Sequence, residues 1–263
     1  MTYPARLWLV GAGNMGGAML ARWIADGADP ANIVAIDPGA PDVPAGVTLV
    51  AAPPEGRPDV LVLAIKPQLL DAVAPSLAST NPDVLVSILA GVEEATLAAK
   101  IPARAVVRAM PNLPVAIGRG VVALHTTSDD ARVRDVAEAL MAPLGLVEWI
   151  ADEALFHAVV ALSGSGPGFA YRFIEAMAAG AAALGLPAAM AERFAIATVE
   201  GAAALAADSD VGPAVLADRV ASPGGTTRAG LDVLDHGAAM RRLVADTLTA
   251  AARRSAELAE AAR

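Results

Sequence analysis

Leu7-Trp8-Leu9-Val10-Gly11-Ala12-Gly13-Asn14-Met15-Gly16-Gly17 joins a four-residue apolar run directly to a glycine fingerprint, and Ala18 to Ala25 continue it in helical spacing. Such a run reads as a buried strand, and G-x-G-x-x-G at a strand-to-helix turn lets the backbone come close to a pyrophosphate. The phosphate charge then lies against the N–H groups that open the helix. The residues so marked are Gly11, Ala12, Gly13, Asn14, Met15 and Gly16. A glycine turn without a ligand is the bland alternative, but strand, turn and helix all fall where the fingerprint requires them.

The alternation continues to about residue 150. Apolar runs stand at Ile33 to Ile36, Val60 to Ile65, Val84 to Leu89, Val106 to Ala109 and Val121 to Leu124, separated by helical patterns. Strand and helix repeating in this way predict an α/β fold whose mostly parallel sheet is covered on both faces. From Asp152 onward the β-branched runs disappear and alanine-rich segments take over, interrupted at Gly164-Ser165-Gly166-Pro167, Pro187, Pro213 and Pro223-Gly224-Gly225. That half reads as all helix. The expected division is 1–151 for a dinucleotide-binding domain and 152–263 for a helical one. Alanine at this density makes smooth surfaces suited to close packing, and its excess over one small bundle's needs predicts a second subunit.

The second strand ends at Asp37, about where a carboxylate hydrogen-bonds the adenosine ribose of a dinucleotide. A 2′-phosphate would meet that negative charge, and no Arg or Lys follows in 38–50 to attract one. The reading predicts NADH in preference to NADPH; in the competing one Asp37 caps a turn with Pro38-Gly39. Ala64-Ile65-Lys66-Pro67 and Leu89-Ala90-Gly91 close two later strands, and open α/β sheets bind ligands at such carboxyl ends. Lys66 is one of only two lysines, with Lys100, and reads either as a cofactor contact or as a solvated side chain.

Composition narrows the partners. With 263 residues and 56% hydrophobic content the chain has ample material for a core, while a net charge of -9 leaves no basic excess for nucleic acid. Cysteine is absent, which excludes disulfides, zinc thiolates and thiol nucleophiles and suits a cytoplasmic protein. His125, His157 and His236 lie scattered without carboxylates at ligand spacing, so no metal is expected. The amino terminus reaches the glycines too soon for a signal peptide. Mean hydropathy is positive at +0.52, but alanine supplies most of it. The longest apolar stretch, Ala176 to Met190, is broken by Pro187 and reads as buried helix, so no membrane partner is expected.

Near the carboxyl end stands Val220-Ala221-Ser222-Pro223-Gly224-Gly225-Thr226-Thr227, followed by the helical run Ala229 to Leu234. Two glycines and two threonines ahead of a helix present N–H groups and hydroxyls in a concavity suited to a small carboxylate. A cap made by Ser222 or Thr226 would account for one hydroxyl, not for the glycine pair.

Val220 to Leu231 resembles the signature of pyrroline-5-carboxylate reductases. Gly11 to Gly17, Met110-Pro111-Asn112-Leu113-Pro114 with Gly118 and Gly120, and Ser163-Gly164-Ser165-Gly166-Pro167 agree in order and spacing. The resemblance implies a Rossmann-like amino-terminal sheet and an all-helical carboxyl-terminal dimerisation domain, with an active site completed between subunits and dimers able to assemble further. It implies NAD(P)H-dependent reduction of 1-pyrroline-5-carboxylate to proline. Thr227 would then hydrogen-bond the imine nitrogen, backbone around Gly224, Gly225 and Thr226 would hold the carboxylate, and Ser222 would line the pocket. Asp210 falls where the family tends to place Glu. Gly168-Phe169 follows Pro167 where Ala-Tyr is usual, which removes a hydroxyl. Arg219 stands where some relatives carry Asn against the cofactor.

Paired carboxylates, a Ser/His/Asp order and a nucleophilic cysteine are all missing, which suits a reaction whose hard step belongs to the cofactor. A β-hydroxyacid dehydrogenase would use a lysine from the helical half, whereas both lysines here precede residue 101. Another cyclic imine reductase, or a dinucleotide-binding sensor without turnover, are the remaining alternatives.

Overall fold

Short runs of branched apolar side chains, uninterrupted by polar residues, form strands buried on both faces. In the structure, a computed structural model describing residues 3–261, these are β1 (Leu7–Val10), β2 (Ile33–Ile36), β3 (Thr48–Val50), β4 (Val60–Leu63), β5 (Val84–Ser87), β6 (Ala105–Pro111), β7 (Gly120–His125) and β8 (Gly145–Trp149). They make one sheet in the order β3-β2-β1-β4-β5-β6-β7-β8. Every pairing is parallel except β6 with β7. The order 3-2-1-4-5-6 is that of dinucleotide-binding sheets, and it reverses between β1 and β4, opening a crevice at the strands' carboxyl ends.

Alternate residues of each strand feed two cores. Leu7 and Leu9 pack with Met19, Leu20 and Trp23 of α1 (Asn14–Ala25). Trp8 and Val10 face the opposite core, with Leu70 and Leu77 of α2 (Leu70–Leu77) and Leu97 of α3 (Glu94–Lys100). α4 (Ala131–Met141) completes the first face, and the buried Trp23 indole N–H donates to the Leu140 carbonyl at 2.6 Å. Helices on both faces are what continuous apolar strands require.

Two strands fall outside the sequence expectation. β3 is a three-residue, partly exposed edge, and β8, also at an edge, exposes Leu146 and Glu148. Edge strands lack the uninterrupted apolar run that marks central ones.

A buried polar latch lies at the end of the sheet-forming chain. Arg108 of β6 pairs with Glu153 at 2.7 Å and stacks over the Phe156 ring at 4.3 Å. Glu153 also accepts the Glu94 N–H, and the buried Glu94 carboxylate accepts both the N–H and the hydroxyl of Thr127. Burial alone would raise the Glu153 carboxyl; the Glu94 N–H and the Arg108 guanidinium outweigh it and hold it below its ordinary value.

Beyond β8 the chain is helical: α5 (Phe156–Val159), a π-helical turn at Val160–Gly164, α6 (Gly166–Ala183), α7 (Ala188–Ala207), α8 (Pro213–Arg219), α9 (Thr226–Asp235) and α10 (Ala239–Ala261). The chain forms two compact units. One runs through Ser165 and takes up the chain again from Ala251; the other is Gly166–Ala250. Ala176 to Met190 is not one buried helix: α6 ends at Ala183, a turn precedes Pro187, and Leu184 is 89% exposed in the single chain. Among the described residues no helix is long and apolar enough to cross a membrane.

Candidate active site

The glycine fingerprint folds as a cradle that side chains would fill. Gly11 has φ +91°, and a Cβ there would lie 2.7 Å from the Ala64 carbonyl oxygen. A Cβ on Gly16 would collide with the Gly11 carbonyl, whereas one on Gly13 would meet open space. Tight turn, open approach and close helix packing are therefore divided among the three glycines. Gly13 caps α1, and among the described residues no side chain bonds its first turn, so the helix opening presents unclaimed N–H groups. These residues fit a pyrophosphate.

Asp37 follows β2 and reaches into the same loop. Its Oδ2 accepts the Ala12 N–H at 2.9 Å and its Oδ1 the Gly39 N–H at 2.8 Å. The turn cap and the glycine-loop contact thus coexist in one carboxylate, which keeps lone pairs for further donors.

Ala64 and Ile65 border Gly11, and Lys66 and Pro67 follow them into a short turn. Lys66 is exposed and pairs with no acid among the described residues. β5 runs beside β4, which sets Leu89, Ala90 and Gly91 next to this segment. Between these strand ends lies a cavity of about 700 Å³. Pro67, Ala90 and Gly91 line it, joined by Gln68, Ser165 and Ser255, which sequence reasoning did not mark. Ser255 stands on α10, far along the chain, where no spacing signal points back to the sheet. Met15 lies partly buried against the first core and Asn14 opens α1.

The carboxyl-end loop belongs to the other compact unit. Ser222 to Gly225 make a turn closed by Gly225 N–H to the Ser222 carbonyl at 2.9 Å, with Gly224 at φ +71° after Pro223. A Cβ on Gly225 would fall 2.5 Å from the Ser222 hydroxyl oxygen. The turn thus favours glycine at 224 for its positive φ, while a side chain at 225 would displace the Ser222 hydroxyl. Gly225 caps α9 without any side-chain cap, and among the described residues nothing hydrogen-bonds the hydroxyls of Ser222, Thr226 or Thr227. Arg228, next in sequence, pairs with Asp218 at 2.7 Å instead of reaching the loop. Asp210 is exposed between α7 and α8 and among the described residues makes no hydrogen bond to the loop, and Arg219 is exposed at the end of α8.

Comparison with known proteins sets this geometry in a family. Residues 153–258 match the family described as pyrroline-5-carboxylate reductase dimerisation, and residues 6–91 match NADP oxidoreductase coenzyme F420-dependent. The chain is 37% identical to the pyrroline-5-carboxylate reductase of Pseudomonas aeruginosa over 266 residues, covering 97% of each. The chain belongs to the pyrroline-5-carboxylate reductase family. The Escherichia coli member is 34% identical over 271 residues, covering 97% of this chain and 98% of its own. The structure of the reductase from Coxiella burnetii matches with a TM-score of 0.87 at 31% identity, over 97% of this chain and 98% of that one. That of Plasmodium falciparum pyrroline carboxylate reductase with NADP bound shares the fold at 22% identity and a TM-score of 0.80, over 97% and 98% of the two chains.

This reductase is therefore an NAD(P)-dependent oxidoreductase with an amino-terminal nucleotide-binding sheet and a helical region of the dimerisation type. Among the described residues no three His, Asp or Glu cluster as metal ligands.

Proposed function

We propose that this reductase reduces 1-pyrroline-5-carboxylate to L-proline in the cytoplasm, with NADH preferred over NADPH, as a homodimer. Residues 1–151 bind the dinucleotide; 152–263 bind the substrate and pair the subunits. The observation that carries the substrate reading is the opening of α9, where Ser222, Thr226 and Thr227 carry uncommitted hydroxyls beside an uncapped row of N–H groups. A five-membered imine with a carboxylate needs both kinds of donor.

Gly11, Ala12, Gly13, Asn14, Met15 and Gly16 hold the pyrophosphate, and Asp37 accepts the ribose hydroxyls. With the adenosine half held at Asp37 and the phosphates at the glycine loop, the residues at the ends of β4 and β5 would hold the nicotinamide half. Ala64 to Pro67, Leu89, Ala90 and Gly91 border it there, where the 700 Å³ cavity lies. The bound reduced nicotinamide supplies the hydride. The N–H groups of Gly224, Gly225 and Thr226 hold the substrate carboxylate, Ser222 lines the pocket, and Asp210, where the family tends to place Glu, joins the substrate-binding set. Thr227 hydrogen-bonds the imine nitrogen, which draws electron density from the carbon that receives the hydride.

NADH preference rests on the Asp37 carboxylate and on the absence of Arg and Lys in 38–50. The NADP bound by the Plasmodium relative is the contrary precedent, so both cofactors belong in the test. Pairing is supported by the exposed apolar side chains of the helical unit, including Tyr171, Leu184, Phe194 and Leu205. Light scattering should return at least twice the 26.4 kDa chain mass; a monomer would refute the dimer. Steady-state cofactor oxidation with 1-pyrroline-5-carboxylate tests the activity, and its absence in folded protein that binds dinucleotide would turn the assignment toward another imine or a sensor.

A further inference from the structure

The two glycine- and proline-bearing segments that the site does not absorb, Met110-Pro111-Asn112 and Ser163-Gly164-Ser165-Gly166-Pro167, meet through one side chain. Asn112 is only 7% exposed. Its Nδ2 donates to the Ser163 carbonyl at 2.9 Å, and its Oδ1 accepts the Val121 N–H at 2.8 Å. A carbonyl and an N–H leave one orientation for the amide, so the assignment is unambiguous.

The helix itself explains why Ser163 needs this donor. An α-helical carbonyl is satisfied by the N–H four residues on, and four residues beyond Ser163 stands Pro167, which has none. The backbone there widens into a π-turn, with Ser165 N–H reaching the Val160 carbonyl at 2.8 Å. Asn112 supplies the missing donor. Val160 and Ser165, which bracket that turn, line the same cavity as Pro67, Ala90 and Gly91.

We infer that Asn112 is a positioning residue: by holding the Ser163 carbonyl it fixes the Val160–Ser165 turn as a wall for the nicotinamide half of the dinucleotide. The inference rests on the cofactor placement proposed above. It predicts that loss of the Asn112 donor is felt by the nicotinamide half and not by the adenosine half, since among the described residues the hydrogen bonds of Asn112 go to Ser163 and Val121 and not to Asp37 or the glycine loop.

Asn112→Asp keeps an acceptor for the Val121 N–H and sets an oxygen against the Ser163 carbonyl. Asn112→Ser releases both bonds without adding charge and carries the test if the first variant fails to fold. Calorimetric binding of ADP and of NADH should be measured for wild type and variants, beside thermal unfolding and turnover. The expected result is ADP affinity within twofold of wild type, NADH affinity at least tenfold weaker and turnover at least tenfold lower. Equal losses for ADP and NADH would make Asn112 a general structural residue and overturn the inference, as would no loss for either. If wild type itself binds NADH no better than ADP, the cofactor placement fails instead.

Discussion

The Ala12 N–H, within the glycine loop, donates to the Asp37 carboxylate at the end of β2, 2.9 Å away. One side chain therefore braces the glycine loop and, in the proposed binding mode, would face the adenosine ribose. Asp37→Ser should lower kcat/KM for NADH at least tenfold and raise the NADPH-to-NADH ratio, because the charge that opposes a 2′-phosphate is gone. Part of the loss should be shared by both cofactors, since the Ala12 N–H loses its charged acceptor. Initial rates with each cofactor check this; an unchanged ratio would remove Asp37 from cofactor selection.

The three glycines of the cradle should separate by experiment. Gly11→Ala forces φ +91° on a residue with a Cβ and presses it against Ala64, so the protein should lose stability as well as dinucleotide binding. Gly13→Ala adds a methyl into open space. Its melting temperature should stay near wild type while dinucleotide affinity falls about tenfold, roughly 1.4 kcal/mol. Thermal unfolding and calorimetry on both variants decide it, and retained affinity in Gly13→Ala would contradict the close approach.

These outcomes bear on how much of the molecule could be read before folding. The central strands and the cradle are legible because burial on both faces leaves uninterrupted apolar runs, and because the loop requires glycine at fixed places. β3 and β8 escape notice since edges carry mixed side chains. The Arg108–Glu153 latch and the Asn112–Ser163 bond join residues 45 and 51 positions apart, with no periodicity to announce them. Ser255 is hidden for the same reason. Ala176 to Met190 misleads because apolar composition cannot distinguish a surface buried within the chain from one awaiting another subunit.

Glu153→Ala should destabilise the protein by about 3 kcal/mol, because the buried Arg108 guanidinium loses its partner. The pH dependence follows from the depressed carboxyl of Glu153, whose ordinary value is 4.5. A group whose pKa is lowered on folding contributes stability above its unfolded value and loses it as pH falls through the folded one. The wild type should thus lose more stability than Glu153→Ala between neutral pH and pH below about 4. Urea unfolding across that range checks both statements; parallel curves would mean that the latch carries no such linkage.

Thr227→Ala should leave NADH affinity unchanged and lower kcat about a hundredfold, near 3 kcal/mol of transition-state stabilisation. Thr226→Ala should act mainly on KM, since its backbone N–H remains and only a pocket hydroxyl is lost. Equal effects of the two substitutions on kcat would argue that neither hydroxyl meets the reacting nitrogen.

The most direct test of the account is the rate of cofactor oxidation by purified protein given 1-pyrroline-5-carboxylate, with NADH and NADPH measured in parallel and proline identified as product. The account predicts turnover to proline with higher kcat/KM for NADH. No turnover with either cofactor, in folded protein shown to bind dinucleotide, would contradict it.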